Sequence, residues 1–116
     1  MQPKSTIRYE DFAKLDLRVA TIVAADVHPN ADRLLKLQID LDGHERQICA
    51  GIKPFYEPER LVGRQIIVVA NLEPRTIRGE LSNGMLLAAT VADGPQVQDV
   101  VILQPLKQVP SGTAVS

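Results

Sequence analysis

Tryptophan is absent, and only two phenylalanines and two tyrosines occur among the 116 residues. The core must therefore be aliphatic, and the aromatic platforms on which many single-strand binders stack bases are hard to assemble. Cysteine occurs once, at Cys49, so no disulfide can form within the chain. The two histidines, His28 and His44, cannot complete a standard four-ligand zinc site with one cysteine unless carboxylates join them. Each reads as a surface turn residue. Cys49 lies among apolar strand residues and reads as a small core residue, without the electropositive, partly exposed setting of a catalytic thiol. No apolar run approaches the ~20 residues of a membrane-spanning helix. The opening Met1-Gln2-Pro3-Lys4-Ser5 lacks the apolar core of a signal peptide. Charge of one sign is also missing: 13 Lys and Arg against 14 Asp and Glu leave a formal charge of -1. That balance excludes a polybasic binder and does not favour a membrane surface, yet it permits a local basic face. A cytoplasmic protein without metal or cofactor is expected.

What the chain does have is alternation. Its 45% apolar and 23% charged residues are ordinary for a globular protein. The length suits one domain, with its core over about residues 9–103, and buries roughly 65% of the unfolded surface without staples. Asp11–Leu15 suits a helical turn, with Phe12 and Leu15 on one face. From Leu15 the period becomes two, and Leu17, Val19, Thr21, Val23, Ala25 and Val27 predict the buried side of a long strand. After the turn residues His28–Asp32, Leu35, Leu37, Ile39 and Leu41 alternate with polar neighbours. Asp42-Gly43 predicts a hairpin returning through His44–Ala50. One helical turn fits Glu57–Leu61, and Ile66–Ala70 is a continuous apolar run suited to a fully buried strand. Asn71–Asn83 reads as a long polar loop, and such loops tend to be functional. Asn83-Gly84 reads as another hairpin-type turn before a strand at Met85–Val91, and Val97–Leu103 as a sixth strand. A tail rich in Pro, Ser and Gly follows. The fold class is all-β: a five-stranded Greek-key OB-fold barrel with short helical segments and extra C-terminal strand.

No catalytic constellation assembles from these residues. Gly79-Glu80-Leu81-Ser82-Asn83-Gly84 has the glycine spacing of a phosphate-binding P-loop, but Met85 occupies the position that requires lysine and a strand follows instead of a helix. Binding chemistry is better represented. Asn71, Arg75, Arg78, Ser82 and Asn83 gather cationic and amide donors in one connector, suited to phosphate oxygens and ribose hydroxyls. Asn30, Arg33 and Lys36 form a second cluster in and after the second turn. Asp32 suits a turn-stabilising role, Arg18 can pair with Asp16, and Met85 suits either the core or a pocket rim. Helical RNA presents 2′-hydroxyls in a shallow groove, so recognition by shape needs donors more than base-specific geometry.

Four segments, Asp16-Leu17-Arg18-Val19, His28-Pro29-Asn30-Ala31-Asp32-Arg33-Leu34, Val69-Ala70-Asn71-Leu72-Glu73-Pro74-Arg75 and Ser82-Asn83-Gly84-Met85, occur in that order. Together they resemble the signature of the tRNA-binding domain family, in particular the C-terminal domain and β-subunit forms of methionyl-tRNA synthetase and free-standing structure-specific tRNA-binding proteins. The resemblance covers about Tyr9 to Leu103. Ala20 stands where many members have Gly, and Glu73 where they often have Lys. The resemblance implies a homodimeric OB barrel that grips tRNA outside the anticodon, largely without sequence preference. It favours Asn30, Arg33, Lys36, Asn71, Arg75, Arg78, Ser82, Asn83 and Met85 as tRNA-binding residues. The expected partners are tRNA and a second copy of the chain, with the domain either a free-standing homodimer or appended to an aminoacyl-tRNA synthetase, which is then a further partner. Two other readings stay open: a peptide-binding secretion chaperone of the same fold, and a purely structural dimerisation domain.

Overall fold

The computed structural model describes residues 1–116. Its elements are α1 (Tyr9–Phe12), β1 (Leu17–Val27), β2 (Leu35–Leu41), β3 (His44–Ala50), α2 (Pro58–Leu61), β4 (Gln65–Val69), β5 (Arg75–Ile77), β6 (Glu80–Ser82), β7 (Met85–Leu86), β8 (Ala88–Asp93), β9 (Gln96–Ile102) and β10 (Ala114–Val115). No helix is long and apolar enough to cross a membrane.

In β2 the alternating pattern converts directly into structure. Leu35, Leu37, Ile39 and Leu41 are buried, while Lys36, Gln38 and Asp40 are half-buried on the other side. The turn into β3 uses Asp42 and Gly43 at φ +53° and +83°, the left-handed pair that matches the twist of a two-residue hairpin. A strand order of β3-β2-β1-β4-β7 forms a curled antiparallel sheet of the OB kind, with β10 added beside β1. The Asn83 N–H donates to the Gln47 carbonyl at 2.8 Å, bringing the far edge of the sheet back to β3. The interior holds twelve residues, all aliphatic, including Ile22, Leu37, Ile48, Ile66 and Val68. Pro58 opens α2, where its missing N–H costs nothing, and Leu61 from that helix enters the core.

β1 departs from its expected phase. A bulge between Ile22 and Ala24 inserts one residue, so Ala20 and Ile22 enter the core before it and Ala25 packs there after it. Val23 and Val27 are consequently exposed, and Thr21 uses its hydroxyl with Ser111 and Gln65. Leu17 and Val19 are buried on the opposite parity, where Leu17 lies opposite Val115 and Val19 exchanges backbone hydrogen bonds with Thr113 and Gly112. A strand that pairs with β4 along one half and with β2 along the other must change its twist between them, and the bulge supplies that change.

Three further expectations are corrected. Asn71–Asn83 is no open loop: β5 and β6 pair within it around a tight turn at Arg78 and Gly79, whose φ values are +50° and +89°. Asn83-Gly84 is not the turn of a hairpin, because β6 and β7 belong to different sheets. A side chain at Gly84 (φ +129°) would lie 3.3 Å from the Val69 carbonyl and 3.4 Å from Ile48, so glycine is required there by close backbone approach. The strand expected over Met85–Val91 splits at Leu87, whose N–H bonds back to Ile67 while β8 leaves the main sheet to pair with β9.

Candidate nucleic-acid interface

A strand of three residues does not hold its own position, and the β5–β6 hairpin is fixed by polar cross-links to the rest of the fold. From the β1–β2 loop, the Asn30 side-chain amide donates to the Arg78 carbonyl at 3.2 Å, and His28 Nε2 meets the Ile77 carbonyl at 2.9 Å. From β2 and β3, Lys36 Nζ and Gln47 Nε2 each lie 3.3 Å from Glu80 Oε1, and Gln47 also donates to the Leu81 carbonyl at 2.9 Å. The hydrogen bond from Lys36, then that from Gln47, holds the Glu80 carboxyl below the usual carboxylate range. At the end of β6, Ser82 Oγ accepts from the Cys49 N–H at 2.9 Å and donates to the Gly84 carbonyl at 3.2 Å.

The nine residues favoured by the sequence fall into two groups. Arg33, Arg75 and Arg78 are exposed, and no carboxylate lies within ion-pairing distance of any of them. Asn30, Arg33 and Arg78 border one shallow hollow of about 340 Å³ between the β1–β2 loop and the hairpin tip. Met85 is 44% exposed, opposite Val69 at the sheet edge. The other four, like the Asn30 amide, are engaged within the protein. Asn71 accepts from the Asp16 N–H at 2.9 Å and donates to the Lys14 carbonyl at 2.7 Å, clamping the end of β4 to the start of β1. Ser82 is buried, Lys36 is paired with Glu80, and Asn83 is half-buried beside Gln47. Arg18 pairs with Asp16 at 2.7 Å and also donates to the Gly112 carbonyl.

Sequence reasoning misplaced two residues here and overlooked one. His28 is 4% exposed, not a surface residue, because both ring nitrogens find backbone partners. Cys49 is half-buried on the outward parity of β3, between the core residues Ile48 and Ala50, with its sulfur 4.0 Å from the Leu81 carbonyl. Burial, and then the Glu80 charge, push its thiol up. Lys53 was overlooked: it is exposed, and its backbone N–H donates to the Arg33 carbonyl at 3.3 Å, which puts a second cationic residue next to Arg33.

Arg78 carries a further signal. A non-glycine residue in the left-handed region costs roughly 1–2 kcal/mol, and asparagine is the usual choice before glycine in this turn. An arginine there spends that energy to place a guanidinium at the apex of a pinned hairpin. The two connectors that meet here, between the first and second and between the fourth and fifth barrel strands, are the ones through which OB-folds take oligonucleotides.

The family model described as "Putative tRNA binding domain" matches residues 17–114. The chain belongs to the tRNA-binding domain family. It is 53% identical over 91 residues to the methionine–tRNA ligase of Chlorobium limicola, which covers 78% of this chain and 13% of the ligase. It is 48% identical over 109 residues to that of Pyrococcus horikoshii, covering 94% of this chain and 14% of the ligase. The chain thus spans about one seventh of the length of these curated relatives. Among solved structures, the MetRS related protein from Pyrococcus horikoshii superposes with a TM-score of 0.87 at 30% identity, covering 97% of this chain and all of that one. The chaperone CsaA from Bacillus anthracis gives 0.84 at 34% identity, again over 97% of this chain and 100% of its own.

The tRNA-binding domain also has a second, larger hollow, about 540 Å³, between α2 and the end of β9. Tyr56, Leu61, Val101 and Ile102 contribute its apolar wall, and Arg60 and Arg64 its rim.

Proposed function

We propose that residues 1–116 act as one unit that grips the phosphate backbone of folded tRNA, largely without regard to base sequence, through Arg33, Arg75 and Arg78. Asn30 and Met85 border the contact, while Asn71, Ser82, Asn83 and Lys36 hold its frame. The observation that carries this reading is the meeting of the β1–β2 loop and the β5–β6 hairpin, with three guanidinium groups free of carboxylate partners. Guanidinium forks match phosphate oxygens, position the RNA without reading bases, and compensate for a near-neutral net charge by being local. The domain works as a homodimer, supported by the exposed Val97, Val101, Leu103 and Leu106 beyond the barrel strands. Appended to a methionyl-tRNA synthetase it raises the local concentration of tRNA and leaves aminoacylation to the rest of that enzyme. Its site of action is the cytoplasm.

The likeness to the chaperone CsaA and the larger apolar hollow favour one second reading, the capture of extended peptide. A competition experiment separates the two. Labelled folded tRNA is displaced by unlabelled tRNA, by unstructured RNA of equal length, or by an unfolded peptide. The tRNA reading expects displacement by folded tRNA well before either rival. Equal displacement by both RNAs overturns the structural preference, and tight peptide binding with no tRNA binding establishes the second reading.

A further inference from the structure

His28 is buried and is bonded at both ring nitrogens. The Asn30 N–H donates to Nδ1 at 3.0 Å, so Nδ1 is unprotonated and the ring's proton sits on Nε2, which donates to the Ile77 carbonyl at 2.9 Å. Asn30, held in this way, turns its side-chain amide onto the Arg78 carbonyl. Two consecutive carbonyls of the hairpin, those of Ile77 and Arg78, therefore both accept hydrogen bonds from the β1–β2 loop. The backbone of the loop is itself closed by the His28 N–H to the Leu34 carbonyl at 3.1 Å, on the other side of Arg33.

We propose that His28 is a positioning residue for tRNA binding: its imidazole latches the hairpin tip to the β1–β2 loop and so sets the spacing between Arg33 and Arg78. This inference rests on the reading that these arginines meet the phosphate backbone. The physical reason for such a latch is preorganisation. Phosphates along a strand have fixed spacing, and two guanidinium groups on independent loops would lose conformational entropy on binding that a latched pair has already lost on folding. The unfavourable left-handed conformation of Arg78 also needs surroundings that over-determine it, and the two carbonyl bonds flank that residue.

The test uses three substitutions and a coupling measurement. His28→Leu removes both bonds and keeps the volume apolar. His28→Gln places an amide donor near the position of Nε2, and His28→Asn keeps an acceptor near that of Nδ1. In the free protein, amide hydrogen exchange at Asn30 is faster in His28→Leu than in the parent chain. Affinity for folded tRNA drops about five- to tenfold in His28→Leu and recovers in His28→Gln. The decisive readout is a double-mutant cycle: Arg78→Ala weakens binding strongly in the parent chain and only slightly when His28 is leucine, because an unlatched guanidinium is already misplaced. Mere loss of folding would leave the two effects additive. Additivity, or exchange at Asn30 unchanged by His28→Leu, overturns the latch. Should His28→Leu not fold, the same cycle is run with His28→Gln and His28→Asn, with the smaller loss expected for whichever keeps the hairpin bond. If the parent chain does not bind tRNA, the functional reading fails, while hydrogen exchange alone still decides whether the latch exists.

Discussion

The hairpins β5–β6 and β8–β9 are both antiparallel pairs standing outside the main sheet, and they are attached to it in opposite ways. Polar side chains from three places, His28 and Asn30 in the loop, Lys36 in β2 and Gln47 in β3, tie down the first. The second lays Val100 and Ile102 against the core, donates one hydrogen bond from the Ile102 N–H to the Tyr56 hydroxyl at 3.1 Å, and leaves Val91, Val97 and Val101 exposed. Hydrogen bonds have direction, so they fix the backbone from which an arginine extends, which phosphate contact requires. Apolar contact has area without direction, which suits a surface that another protein covers. On the proposed reading the first ribbon meets RNA and the second a protein surface.

The largest effect expected to separate them comes from their glycines. Gly84, at the end of the pinned hairpin, lies against Val69 and Ile48, whereas a side chain begun at Gly94 in the ribbon turn would meet nothing within 4 Å. Gly84→Ala is expected to lower unfolding free energy by about 3 kcal/mol, combining backbone strain with overpacking. Gly94→Ala, at φ +59°, costs only about 1 kcal/mol. Denaturant unfolding measures both, and equal losses would erase the distinction.

A smaller effect concerns assembly. Val101→Asp puts a charge on the exposed ribbon, and sedimentation equilibrium should then return the 12.7 kDa chain mass where the parent chain returns twice that. Arg75→Ala and Arg78→Ala, on the other hairpin, leave the mass doubled. A parent chain already monomeric at micromolar concentration ends the dimer proposal.

The smallest effect is a pH dependence. Glu80 has a folded pKa below its unfolded value, held down by Lys36 and then Gln47. Its contribution to stability is therefore present above the ordinary carboxylate range and is lost as pH falls through the depressed folded value. Glu80→Gln should lower stability near neutral pH and leave it close to the parent in acid, with the two curves converging as pH drops. Urea midpoints across that range check this, and parallel curves would mean that the pairing does not anchor the hairpin.

Much of the barrel was legible because its signals are local and periodic. Leu35–Leu41 alternates cleanly, Asp42-Gly43 specifies its own turn, and a chain with few aromatics has only aliphatic residues to bury. β1 was misphased because a bulge leaves no mark in the alternation of Val23, Ala24 and Ala25. The hairpin at Arg75–Ser82 was hidden by its shortness and by an Arg-Gly turn in place of the usual Asn-Gly. At the candidate site, residue type together with the family resemblance singled out Arg33, Arg75 and Arg78, which the structure leaves exposed and without carboxylate partners. Residue type could not reveal that the amide of Asn71 and the hydroxyl of Ser82 are both used inside the fold, nor that His28 is buried, since those facts depend on partners between two and 57 residues away.

If the free arginines of the pinned hairpin carry the contact with folded tRNA, the salt dependence of tRNA affinity must register their loss. The measurement compares the parent chain with Arg75→Ala and Arg78→Ala. Neutralising phosphates releases counterions, so affinity of the parent should fall steeply as salt rises. Each substitution should weaken binding across all tRNAs alike and reduce the slope of log affinity against log salt by roughly one, with thermal unfolding nearly unchanged. Parent-like affinity and slope in both variants would show that the hairpin arginines do not hold the RNA.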